Sequence, residues 1–252
     1  MQKIDCIYII NLKKERSRLK QTLMLLADEE IHIPIKIFEA THWKSKSFEN
    51  NIFEKEIYYS QIWRENGNKI RKGQIACCYS HLKLLQDAVH NNYQTILLLQ
   101  DDVYCEKIGQ LKKEIDKFHD LIQTHNDFDL YYVGKQKVFP ILEEAKFRDT
   151  SFLETEYCYN AHCLIFSREC CQKLLNTDIW NYVIPFDEFL PLCFGKSMCA
   201  NVEYFQKIFP KIITALSSDS FSNVYQCTHA SSRYKHLVDK YSFTDISESE
   251  FV

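Results

Sequence analysis

The segment Ile96-Leu97-Leu98-Leu99-Gln100-Asp101-Asp102 constrains this chain more than any other. Four apolar residues running into paired carboxylates read as a short buried strand that ends at the C-terminal edge of a sheet. Open α/β sheets bind their ligands at that edge. Two adjacent acids there call for a cation, and a hard divalent metal such as Mn²⁺ or Mg²⁺ accepts oxygen ligands and could hold a diphosphate. The plainer alternative is that the pair caps the next segment or is simply solvated. Convergence of other segments on the same chemistry has to decide between the two.

The pattern around the pair supports a layered α/β protein. Ile4–Ile10 predicts a central strand, Glu15–Ala27 a helix with Leu19, Leu23 and Leu26 on one face, and Ile33–Phe38 a second strand. Strand, helix and strand in that order make a βαβ unit and a mostly parallel sheet. Further helices are expected over Gln74–His90, Gln110–Gln123, 168–176 and Phe186–Phe194, and strands over Phe128–Val133, ending at Gly134, and Asn160–Phe166. Residues 41–72 show no period and read as a long loop, of the kind that is uncommon unless functional or disordered. The acidic tail, 243–252, reads as frayed. One domain over 1–252 is the natural division.

Composition narrows the function classes. Apolar residues make up 46% of the 252, with 17 Phe and 15 Tyr, enough for a large core with aromatic-lined clefts. With 31 basic and 34 acidic residues the net charge is −3, which argues against a nucleic-acid surface and so against a metal-dependent nuclease. Eleven cysteines, an odd number without a C-x-x-C, read best as reduced thiols in a cytosolic chain, with two or three disulfides in a secretory compartment as the alternative. The start, Ile4–Ile10 interrupted by Asp5, does not read as a signal peptide, and no run approaches a membrane span. A cytoplasmic protein is expected.

Several segments together resemble glycosyltransferase family 25, which holds lipopolysaccharide-type galactosyltransferases and the collagen hydroxylysine galactosyltransferases. Ile7–Leu12 with Lys13, Lys14, Arg16 and Arg18 resembles the family's first strand, its Asn-Leu and its basic cluster. Phe38-Glu39-Ala40 resembles its Phe-Glu-Ala. Gly73–Leu82, ending in Ser80-His81-Leu82, resembles its Ser-His-Leu block, and Gln100-Asp101-Asp102 its Glu-Asp-Asp signature. Pro185-Phe186-Asp187-Glu188-Phe189-Leu190-Pro191 resembles the collagen branch most closely, and Thr228-His229 could match that branch's Thr-His. Gln74, Ala76 and above all Gln100 depart from the family pattern, the last by removing a carboxylate.

The resemblance implies a GT-A fold, a UDP-sugar donor (UDP-galactose first), Mn²⁺ or Mg²⁺, and transfer with inversion. Asp101, Asp102 and His229 would be metal ligands, with Asp219 competing for the third place. Asp187 or Glu188 would be the general base, Asp187 preferred, unless Asp187 only caps its helix. Asn11, Leu12, Arg16, Glu39, Ala40, Ser80, His81 and Asp101 would line the nucleotide site. An arginine at 16 or 18 could fork to the diphosphate, and Glu39 could bond a ribose hydroxyl. His162 reads as a core histidine, and Cys77 and Cys78 as packing residues. The acceptor would be hydroxylysine in a collagen-like polypeptide, in a microbial or virus-infected cytoplasm, or a glycan. A non-catalytic nucleotide-sugar-binding homologue is the rival that Gln100 favours. The oligomeric state stays open, a homodimer among the options.

Overall fold

The computed structural model describes residues 3–45, 48, 64–65, 68–137, 142–218 and 224–226, with backbone alone at 64, 65, 68, 69, 137 and 225. Strand β1 (Cys6–Asn11) is buried at every position, as a run without polar alternation requires when both faces of a sheet are covered. Ile7 and Ile9 enter one core, and Tyr8 and Ile10 the other. Helix α1 (Arg16–Asp28) leads to β2 (Ile35–Glu39), which lies parallel to β1 at the sheet edge. On the other side of β1, also parallel, lies β5 (Thr95–Gln100).

The sheet continues through β9 (Cys158–Ser167), β7 (Leu130–Lys137), β10 (Ala215–Ser218) and β8 (Phe152–Glu154), in the order β2-β1-β5-β9-β7-β10-β8. β9 runs antiparallel to both β5 and β7, and β8 antiparallel to β10. The other five strands share one direction, so the sheet is mixed and mostly parallel, as expected. Helices α2 (Lys72–His90), α4 (Arg168–Leu175) and α5 (Phe186–Cys193) cover one face with Leu82, Leu85, Leu174 and Phe189. Helices α1 and α3 (Gln110–Thr124) cover the other. In α3 the buried residues Leu111, Ile115 and Phe118 recur at helical spacing.

The structure departs from the sequence reading in particular elements. The loop expected over 41–72 contains a small hairpin, β3 (Arg64–Glu65) and β4 (Asn68–Lys69), and α2 already begins at Lys72. Residues 46–47, 49–63 and 66–67 of that segment lie outside the described residues, as does the tail expected to fray. Strand β7 does not stop at Gly134. The glycine answers a close approach instead: a Cβ there would collide with the His162 ring and come within 2.8 Å of the Val224 carbonyl. Opposite it, β9 bulges, advancing from Cys163 to Tyr159 while β7 advances from Gly134 to Gln136, and Asn160 takes a left-handed φ of 71°. Strand β6 (Val103–Cys105) pairs with β11 (Val224–Gln226), which brings the C-terminal part of the chain back beside the acid pair. A short helix, α6 (Val202–Ile208), adds Phe205 to the core that holds Tyr8 and Ile10. The ten described cysteines are free. Among the described residues no helix is long and apolar enough to cross a membrane.

Candidate active site

The parallel register sets the site. Because β1 pairs with both β2 and β5 in parallel, Asn11 falls opposite Glu39, and Ile10 opposite Gln100. Three strand ends therefore deliver Asn11, Glu39 and the Gln100-Asp101-Asp102 turn to one edge. Asn11 donates its side-chain N–H to Asp101 Oδ2 at 2.6 Å and to the Glu15 carbonyl at 2.9 Å. Thr22 on α1 donates to the Asp101 carbonyl at 3.1 Å. These contacts lock the start of α1 onto the acid turn.

Arg18 completes the lock. Its guanidinium Nη2 lies 2.7 Å from Asp101 Oδ1 and 3.1 Å from Asp102 Oδ2, and arginine and Asp101 are only 5% and 7% exposed. Removing one partner would leave buried charge uncompensated, at a cost of about 3–5 kcal/mol. Burial raises the Asp101 carboxyl above the ordinary range; the Arg18 charge opposes this, Asp102 adds to it, and the Asn11 hydrogen bond opposes it again. From β11, the Gln226 amide N–H reaches Asp102 Oδ2 and Gln100 Oε1, each at 2.9 Å. Asp102 Oδ1 is buried without a hydrogen-bond partner, and such an atom is a fitting oxygen ligand for a hard cation. Among the described residues no third His, Cys, Asp or Glu joins the pair.

Helix α2 forms the opposite wall. Cys77 and His81, four residues apart, share one helix face. His81 Nδ1 lies 2.8 Å from the Cys77 carbonyl and so acts as donor, which leaves Nε2 to accept from the Gln100 amide at 3.3 Å. Burial pushes the imidazole down to about 4, against the pull of the Cys77 and Ala161 carbonyls. The ring stacks on Phe186, with centroids 4.3 Å apart and planes 19° apart. That stack brings the first turn of α5, with Asp187 and Glu188, to the same cleft. The Cys77 thiol is pushed up by burial and then by Asp187, Asp102 and Asp101, so it lies within the field of both acidic groups. Glu188 is buried and accepts from the Tyr157 hydroxyl at 2.6 Å, whereas Asp187 is half-buried. The cleft framed by Leu12, Arg18, Ala40, Cys77, His81 and Asp102 encloses about 20 Å³, room for one water. A more open cleft of about 420 Å³ lies at the opposite sheet edge, where β7 and β10 begin.

Of the residues expected at the site, Asn11, Leu12, Ala40, Ser80, His81, Asp101 and Asp102 come together here. Ser80 accepts from Thr41 N–H and donates to the Ala76 carbonyl, both at 2.8 Å, and so ties the turn after β2 to α2. Glu39 stands exposed at the end of β2. Of the two arginines, Arg18 enters the cleft and Arg16 is exposed on α1, because a two-residue step on a helix turns the side chain away. His229 and Asp219 lie outside the described residues. His162 is buried, as expected, with Nε2 3.2 Å from the Val224 carbonyl. Cys77 is more than packing, since it lines the cleft; its spacing from His81 was the available signal. Thr22, Tyr157 and Gln226 carried no sequence signal of a role here.

An open, mostly parallel sheet with helices on both faces and an acid pair where β5 leaves it defines a layered α/β protein with its candidate site at the C-terminal edge of the sheet. Residues 4–190 match Glycosyltransferase family 25 (LPS biosynthesis protein), so the chain belongs to glycosyltransferase family 25. It is 28% identical to Procollagen galactosyltransferase 2 of Homo sapiens over 80% of this chain and 32% of that protein. Procollagen galactosyltransferase 1-B of Xenopus laevis is 27% identical over 76% of this chain and 31% of its own length. Procollagen lysyl hydroxylase and glycosyltransferase of Acanthamoeba polyphaga mimivirus is 24% identical over 82% of this chain and 23% of its own length. The chain thus spans a third or less of the length of these relatives.

Proposed function

We propose that the chain, acting as one domain, is a metal-dependent inverting transferase that moves a hexose, galactose first among candidates, from a UDP-sugar to an acceptor hydroxyl. The observation that carries this reading is the stack of Phe186 on His81, which sets the first turn of α5, with Asp187, beside the cleft that holds the acid pair. Asp102, through its unpartnered Oδ1, and Asp101 would hold Mn²⁺ or Mg²⁺, with His229 as a further ligand. Such an ion neutralises charge on a departing diphosphate. Asn11, Leu12, Ala40, Ser80 and His81 frame the nucleotide, Glu39 offers a carboxylate to a ribose hydroxyl, and Arg16 serves the rim. Asp187 takes the proton of the attacking hydroxyl. It stands in the first turn of α5, at the positive end of the helix dipole. Glu188, held by Tyr157, supports that turn instead of competing for the proton.

The procollagen galactosyltransferase relatives support hydroxylysine in a collagen-like polypeptide as the acceptor; the family's lipopolysaccharide members support a glycan as the second reading. The test is UDP release from a panel of UDP-sugars with each acceptor, with and without Mn²⁺. We expect turnover of one sugar to require the metal. Asp102→Ala should abolish it, and Asp187→Ala should lower it by about 10²- to 10⁴-fold. Metal-independent turnover, or a full rate in Asp187→Ala, would overturn the assignment. Absence of turnover together with metal-dependent UDP binding would favour the non-catalytic homologue, the reading that Gln100 in place of a glutamate supports.

A further inference from the structure

Arg18 stands where the charge balance of the acid pair is decided. Its guanidinium bridges both carboxylates, it is almost wholly buried, and with Gln226 it occupies Asp102 Oδ2. The enclosed space beside it holds about one water. A nucleotide diphosphate that binds directly at the pair displaces side chains lining this cleft. Among the described residues lining it, Arg18 is the cation in contact with the pair, and its planar fork suits a diphosphate as well as it suits carboxylates.

We propose that Arg18 is an internal counter-cation that competes with the divalent metal for the Asp101–Asp102 pair and moves to the diphosphate when the donor binds. This rests on the divalent-cation reading given above and extends it to the order of binding. With Arg18 on the pair, a metal ion meets carboxylates whose charge is already half balanced, and its apparent affinity is the intrinsic affinity multiplied by the fraction of molecules in which the arginine has left. A diphosphate gives Arg18 another partner and frees the pair. Metal and donor binding are then coupled through this one side chain, and the coupling is reciprocal.

The experiment measures Mn²⁺ binding to the full chain by calorimetry, without and with UDP, for the wild type, Arg18→Met and Arg18→Lys, along with thermal melts of each protein in EDTA and in Mn²⁺. Arg18→Met should bind bare Mn²⁺ about tenfold or more tightly than the wild type, and UDP should enhance that binding less than it does in the wild type. Arg18→Lys, which keeps a charge but loses the fork, should fall between. Mn²⁺ should raise the melting temperature of Arg18→Met more than that of the wild type, because the ion replaces the missing cation. If Arg18→Met melts too low to titrate, Arg18→Lys alone still has to show the rise in bare affinity. Unchanged or weaker Mn²⁺ affinity in folded variants, with the wild type binding Mn²⁺, would overturn the role given to Arg18. No Mn²⁺ binding by any protein, even with UDP, would overturn the metal reading beneath it, a different and separable result.

Discussion

Gly134→Ala tests whether the close crossing of β7, β9 and β11 holds the site together. The added methyl meets the His162 ring and, at 2.8 Å, the Val224 carbonyl. His162 is buried and bonded to that same carbonyl, and Val224 belongs to the strand that carries Gln226 to Asp102. The carbonyl is backbone and cannot swing away. Overpacking of this kind costs about 1–3 kcal/mol, and breaking the His162–Val224 contact leaves buried polar groups unsatisfied for about 1–3 kcal/mol more. A loss of about 2–6 kcal/mol follows, which for a chain of this size is a fall in Tm of about 4–24 °C. Circular dichroism melts of the wild type, Gly134→Ala, His162→Ala and Gly134→Ala/His162→Ala provide the measurement. The added methyl should cost less in the His162→Ala background than in the wild type, because one of the two obstacles has gone. A Gly134→Ala Tm within about 1 °C of the wild type would refute the reasoning, since neither obstacle could then be rigid.

Tyr157→Phe removes the donor at 2.6 Å from buried Glu188, and hydrogen bonds to charged groups are worth about 1.5–3 kcal/mol; denaturant unfolding should show that loss, and a change below about 0.5 kcal/mol would mean the contact contributes nothing. Burial and then the Glu188 charge raise the phenol far above its usual range, so it remains a donor at every accessible pH. His81 adds a pH dependence. Its folded-state pKa of about 4 lies below the ordinary 6.5, so between those values the unfolded chain binds the extra proton. Its contribution, about 3 kcal/mol from a shift of this size, is complete above pH 6.5 and disappears as the pH falls toward 4. Melts across that range should show His81→Gln losing less stability on acidification than the wild type, and parallel curves would contradict the shift.

The amino-acid sequence alone determined the layers and the edge. Unbroken apolar runs at Ile7–Ile10 and Ile96–Leu99 require strands covered on both faces, and the intervening helical periods require crossover helices, so strand ends with polar residues after them become legible as a site. Asn11, the acid pair, Ser80, His81 and the Phe186–Glu188 turn were readable for that reason, with the family resemblance adding their chemistry. Tertiary structure alone decided which member of each local set turns inward. Arg18 enters and Arg16 does not, because the docking of α1 on the acid turn chooses a helix face. Glu188 is held by Tyr157, just before β9 begins, and Asp187 beside it stays half-buried. Gln226 reaches Asp102 through a pairing of β11 with β6 that spans more than a hundred residues of sequence. Gly134, which reads locally as a strand stop, is a crossing point. In each case the cause is a contact between distant segments, and local propensity carries no information about such contacts until the chain has packed.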